Sequence, residues 1–267
     1  MSTRLLAAVT IKNRWGRANH SISCLYYCLH IRYNYLSNEN IYPCNPIPYE
    51  ASILFCSLIM SLKPMTKPTF EKALLILRQQ DPKIDEILTE LGPPGWRKRK
   101  SGFPTLVRII LEQQVSLASG KAVFDRLQLT VPRLTPRNFL KISPESLRQI
   151  GFSRQKTRYC RELAEKIKVG DLRLGDLEKM SEKSIREELI QVTGIGRWTI
   201  DIYLMEALKR PDIWPAGDLA LAIAVQQLMG LKKRPTPEKL DLISKKWKPW
   251  RSVAARIFWH SYLNGTF

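Results

Sequence analysis

The chain has 267 residues, 44% of them hydrophobic, enough to bury the core of one or two compact domains. Lysine and arginine number 43 against 24 aspartates and glutamates, a formal charge of +19, which points to a polyanionic partner, nucleic acid ahead of an anionic membrane surface. The longest apolar run, residues 51–60, falls well short of the roughly 20 residues that a spanning helix needs, so no membrane span is expected.

Residues 1–64 differ from the rest. Aromatics without a steady period, no acidic residue before Glu39 and the string AsnIleTyrProCysAsnProIlePro (40–48) suit neither a helix nor a central strand. The segment fits either an organellar transit peptide or a non-native extension upstream of a start at Met60 or Met65, and both exclude it from the fold as poorly structured. Cys24, Cys28, Cys44 and Cys56 fall there and Cys160 alone follows, which is no disulfide framework. No cysteine quartet stands after the later Gly-Ile-Gly turn to hold zinc or an iron-sulfur cluster.

From Pro68 onward the pattern becomes helical. Apolar residues at i, i+3, i+4 predict helices over 69–78 and 84–91, the second stopped by GlyProProGly at 92–95. Amphipathic stretches follow at 103–115, 118–127, 143–150 and 154–167, and Ser143, Pro144 and Glu145 supply a cap, a first-turn proline and an early acid. Further helices are predicted at 184–191, 198–208, 219–229, 239–247 and 250–263. No alternating strand of useful length survives, so residues 65–267 are expected to be all-α. The expected form is two helical subdomains flanking a cleft, with Asp218 and the hairpin on one wall and the last helix packed on the first ones.

ValThrGlyIleGlyArg (192–197) leaves room only for a tight hairpin between two of these helices. Its glycines tolerate positive φ and let the backbone press on a partner, and Ile195 can anchor the turn in the core. Free amides at the start of the second helix, beside Arg197, make an anion site, although an ordinary glycine-capped turn would look the same. Further on, Asp218 stands where a loop meets an apolar helix. On spacing alone it is either a plain N-cap or a catalytic carboxylate at the mouth of a cleft, where the helix end favours its charged form.

The hairpin ValThrGlyIleGlyArgTrpThr (192–199), the following Pro215-Ala216-Gly217-Asp218 and LysTrpLysProTrpArgSer (246–252), in this order and spacing, resemble the helix-hairpin-helix (HhH-GPD) DNA glycosylase superfamily. Within it the likeness is to the 3-methyladenine DNA glycosylase II, or alkylbase glycosylase, family, over roughly residues 66–267. Pro-Ala-Gly-Asp departs from the Gly-Pro-Asp of the superfamily's name while keeping the aspartate's register against the hairpin. The resemblance implies that the backbone of Thr193, Gly194, Ile195 and Gly196, with Arg197, grips a DNA phosphate. It also implies a sodium or potassium ion at the backbone of Thr193, Gly194 and Gly196, with no side-chain metal ligand and no other cofactor.

By the same resemblance Asp218 is catalytic, Trp198, Trp259 and Gln113 belong to the base pocket, and Gln114 is the wedge that fills the stack when a base is flipped out. Trp198 stands where endonuclease III-like relatives carry the lysine that leads to strand cleavage, so a monofunctional enzyme is implied. A cationic N-alkylated purine also suits an electron-rich ring face. The implied partner is damaged double-stranded DNA, bound by a monomer without a membrane. The expected place is the cytoplasm of a bacterium, or the nucleus or an organelle of a eukaryote.

Plainer readings stand beside these. Trp198 and Trp259 also suit a core, Gln113 and Gln114 a solvated helix surface, and His260 a structural role. A non-catalytic DNA-binding module, or a glycosylase for uracil or hypoxanthine, would show the same motifs. Arg97, Lys98, Arg99, Lys100, Arg197 and Arg251 are the basic residues expected on phosphates. If so, log affinity for duplex DNA falls by about 0.9 per log unit of salt for each phosphate contact, and a flat salt titration would refute nucleic-acid binding.

Overall fold

The computed structural model of the chain describes residues 64–265, except Arg97 and Lys98. The expectation for residues 1–64 therefore lies outside the described residues, apart from Pro64. Every regular element described is helical, and no described helix is long and apolar enough to cross a membrane. The α-helices are α1 (Lys67–Gln80), α2 (Pro82–Leu91), α3 (Phe103–Glu112), α4 (Leu117–Thr130), α5 (Pro136–Leu140), α6 (Pro144–Gln149) and α7 (Arg154–Val169). They continue with α8 (Glu182–Leu189), α9 (Arg197–Glu206), α10 (Leu219–Leu228), α11 (Pro237–Ser244) and α12 (Arg251–Asn264).

Most of these helices start where a short polar side chain takes up a first-turn amide. Thr66, Asp81, Ser116, Thr135, Ser143, Ser153, Ser181, Asp218 and Thr236 each cap the helix that follows. Helix α5, which periodicity does not predict, has the Thr135-Pro136 start signal, but its five residues are too few to display a period. Helix α3 stops at Glu112, three residues before the predicted end, because Gln113 is extended (φ −64°, ψ 131°) and Gln114 is left-handed (φ 54°).

The helices pack in two groups. The middle of the chain, α3 to α9, forms one, with α3 against α4, α7 and α9. The other joins the two ends: α12 packs on α1, α2 and α10, so the last helix returns to the first ones as expected. Helix α9 is buried continuously from Thr199 to Glu206, and α12 from Ser252 to Phe258. Helices with no polar face are stable only when surrounded, and each such Leu, Ile or Phe is worth about 1.5–3 kcal/mol. The hairpin α8/α9 belongs to the middle group and Asp218, at the head of α10, to the other, so they do not share one wall.

One buried carboxylate fastens the ends together. Asp81 caps α2 through the Lys83 amide (3.0 Å), accepts the Trp247 indole N–H (2.8 Å) and pairs with Lys246 (2.7 Å). Burial by itself would raise its carboxyl. The bonds from Lys246 and Trp247, the Lys246 charge and the Lys83 amide outweigh this and hold it below its ordinary 3.8. Asp81→Ala, which removes the cap and strands the buried indole N–H, is expected to cost about 3 kcal/mol in denaturant unfolding. Because the folded value is depressed, the charge contributes fully above 3.8 and is lost as pH falls through the folded value. The stability gap between wild type and Asp81→Asn should therefore be widest at neutral pH and close in acid.

Candidate active site

The two hairpin glycines answer to different neighbours. Gly194 has φ +84°, and a Cβ there would lie 2.1 Å from the Tyr159 ring, so helix α7 fills the space beside it. Gly196 has φ −94° and ψ −179°, extended backbone open to any residue, and a Cβ there would meet nothing within 4 Å. Of the two, Gly196 leaves its outer face open to a ligand. It is also the N-cap of α9 and supplies no side-chain cap, so the amides of Arg197, Trp198 and Thr199 begin a helix with its positive end bare.

The remaining hairpin residues are held from inside. Thr193 donates its amide to Glu162 Oε1 (3.1 Å), and bonds from the Thr193 hydroxyl and then its amide hold the Glu162 carboxyl below the usual range. Ile195 is buried, with its amide on Val192 O (3.0 Å). Among the described residues, the Gly194 and Gly196 amides have no protein partner. Arg197 is 65% exposed on its side chain and lies 3.1 Å from Asp241. Buried Asp201 ties α9 to α8 through Arg186 at 2.6 Å; burial raises its carboxyl and the arginine opposes that.

Of the trio expected to hold sodium or potassium, Gly194 O accepts from Gln113 Nε2 (2.8 Å) and Gly196 O from the Ile200 amide (3.1 Å), and each carbonyl oxygen keeps a second lone pair that a cation could take.

Asp218 is an N-cap, and more than one. Its Oδ1 accepts the Leu221 amide at 2.8 Å and the Trp259 indole N–H at 2.9 Å, while Oδ2 accepts the Trp198 indole N–H at 2.8 Å. A simple cap needs only the first of these. Trp198 comes from α9 and Trp259 from α12, so both helix groups meet at this carboxylate. All three donors are neutral, and among the described residues no Lys, Arg or His forms an ion pair with it. The geometry orients the carboxylate while leaving its negative charge uncancelled.

Other expected residues lie apart or do other work. Gln113, expected in the base pocket, turns its amide nitrogen to the hairpin, bonding Gly194 O and Thr199 Oγ1 at 2.8 Å each. Gln114 is exposed at the end of α3, beside a groove of about 340 Å³ that it lines with the hairpin, Gln155 and Tyr159. Arg251 is engaged by both carboxylate oxygens of Asp212 (2.7 and 2.9 Å), and Arg99 by both of Glu112 (2.9 and 3.1 Å). Both arginines, expected on phosphates, are thus paired with carboxylates within the chain. Arg97 and Lys98 lie outside the described residues. His260 bonds Leu91 O and Asn264, in keeping with a structural role. Glu162 and Tyr159 escaped the sequence reading because they face the hairpin from a separate helix, with no local motif to mark them.

Residues 107–249 match the family model of the HhH-GPD superfamily base excision DNA repair protein. The chain is 27% identical over 197 residues to the alkylbase DNA glycosidase-like protein mag2 of Schizosaccharomyces pombe, covering 71% of this chain and 92% of that one. It is 30% identical over 181 residues to DNA-3-methyladenine glycosylase 1 of the same yeast, covering 66% and 79%. The solved structure of a Schizosaccharomyces pombe 3-methyladenine DNA glycosylase in complex with abasic DNA superposes with a TM-score of 0.66 at 28% identity, over 70% of this chain and 95% of that one.

The unequal glycines give a direct test. Gly194→Ala, which forces a side chain into left-handed backbone and against Tyr159, should lower stability by about 1–3 kcal/mol. Gly196→Ala should melt like wild type yet weaken duplex binding in fluorescence anisotropy. If both variants lose stability alike, the open face assigned to Gly196 is wrong.

Proposed function

From the HhH-GPD superfamily of base excision DNA repair proteins, to which this chain belongs, we infer a monofunctional DNA glycosylase that releases alkylated bases such as 3-methyladenine from duplex DNA. The observation that carries this reading is Asp218, held by three neutral donors beside the bare end of α9. Breaking the N-glycosidic bond leaves positive charge on the sugar, and a fixed, uncompensated carboxylate lowers the energy of that state. An ion pair with lysine or arginine would have cancelled the same field.

The bond between C1′ and the base nitrogen breaks with its electron pair going to the base. A cationic alkylated base thus departs neutral, and needs no strong general acid. Water adds to C1′, oriented by Asp218, and its proton passes to that carboxylate or to solvent. Trp198 and Trp259 would face the flipped base with their rings while their indole N–H groups keep Asp218 in place, and a ring face attracts a cationic purine. With tryptophan rather than lysine at 198 there is no amine at that position to form a Schiff base with the sugar. Hydrolysis is therefore expected to stop at an abasic site.

The hairpin's share is the phosphate. The amides of Gly194, Gly196 and the first turn of α9 offer a helix-end anion site, with Arg197 alongside. Binding as a monomer, in whichever compartment holds the cell's DNA, completes the reading, and hydrolysis of this kind calls for no cofactor. The rival, a non-catalytic DNA-binding module, would use Asp218 only as a cap.

Asp218→Asn separates the two. Asparagine still caps α10, so duplex binding should persist, while release of 3-methyladenine or 7-methylguanine from methylated DNA should fall by about 100-fold or more. Wild-type product should break only after alkali. Unchanged release by Asp218→Asn would remove the catalytic assignment, and breaks without alkali would remove the monofunctional one.

A further inference from the structure

Three consecutive residues at the end of α3 are held by other parts of the molecule, and the fourth projects from them. Leu111 O accepts Lys156 Nζ of α7 (2.7 Å). Glu112, buried, takes both nitrogens of Arg99 and also Arg108 (3.0 Å). Gln113 Nε2 bridges Gly194 O in the hairpin loop and Thr199 Oγ1 in the first turn of α9. Gln114 then projects, exposed, in the left-handed conformation that a non-glycine residue seldom adopts without external support. Even the partner helix is fitted to this point, since a Cβ on Gly120 would fall 2.9 Å from Glu112 Cα.

We propose that Gln113 is a positioning residue that couples the phosphate-gripping hairpin to the wedge, so that Gln114 enters the base stack only in register with a hairpin seated on its phosphate. The inference rests on the reading of Gln114 as the wedge and of the protein as a base-flipping glycosylase. Its own content is the joint. One amide nitrogen holds both sides of the hairpin turn, and the next residue along the chain is the wedge, so a displacement of either is transmitted through a single side chain. Thr199 also stands next to Trp198, whose indole holds Asp218. Wedge, phosphate site and carboxylate thus hang on the same helical turn.

The test is a double-mutant cycle on the full chain, with Gln113→Met, which keeps length and removes the donor, and Gln114→Ala. The readout is fluorescence of 2-aminopurine placed opposite an abasic-site analogue, reporting unstacking, with anisotropy on undamaged duplex reporting the phosphate grip and thermal melting checking the fold. Gln113→Met should reduce unstacking about tenfold, well beyond any loss in binding to undamaged duplex, and in the Gln114→Ala background it should add almost nothing. Gln113→Glu, which places an acceptor against Gly194 O, should behave like Gln113→Met. Additive losses in the cycle, or a Gln113→Met effect confined to melting temperature, would overturn the coupling, as would unstacking unaffected by Gln114→Ala. Failure of the glycosylase reading would look different: no base release from methylated DNA by wild type, with the non-additive unstacking intact.

Discussion

The first turn of α9 is the constraint on which the rest of the site depends. It starts at a glycine without a side-chain cap, in a molecule where most helices are closed by serine, threonine or aspartate. An uncapped helix end has unsatisfied amides and partial positive charge, a state that favours an anion from outside. Such an end must be prevented from fraying. Here the following eight residues are buried, Asp201 is clamped to Arg186, and Gln113 bonds Thr199. Burial and these bonds hold α9 in place while its first turn stays open.

Asp218 shows the same economy of charge in reverse. Elsewhere buried carboxylates are matched with cations: Glu112 with Arg99 and Arg108, Glu206 with Arg256, Asp201 with Arg186. Burying an ion without compensation is costly, and breaking such pairs would leave a stranded charge. Asp218 is half-buried and receives dipoles instead of an ion. Dipoles fix its direction and partly replace water, yet the net charge is preserved for whatever approaches. Two tryptophans, usually counted as core or ring-stacking residues, serve this through their N–H edges.

The outline of the fold is legible from the chain because helices are local. Apolar spacing places α1 to α4 and α6 to α12 within a few residues of their true ends, and capping residues mark most starts. Failures occur where tertiary contacts override the local pattern. The stretch from Phe103 looks helical through Val115, but Gln113 leaves the helix to reach a hairpin 81 residues away. The charge count likewise forecasts a basic surface without saying which arginines are free, and Arg99 and Arg251 turn out to be committed to Glu112 and Asp212.

The sequence by itself determined the all-helical class, the hairpin, and the register of Asp218 and Trp198 against it, since these follow from periodicity and short spacing. It also marked both hairpin glycines, though not their difference. That Gly194 faces Tyr159 while Gly196 faces open space, that Glu162 holds Thr193, and that two indoles from separate helix groups meet on one carboxylate were decided only by the tertiary structure. The physical reason is direction. Spacing along a chain says which residues can be near one another, but the donor that a carboxylate meets depends on how distant helices pack.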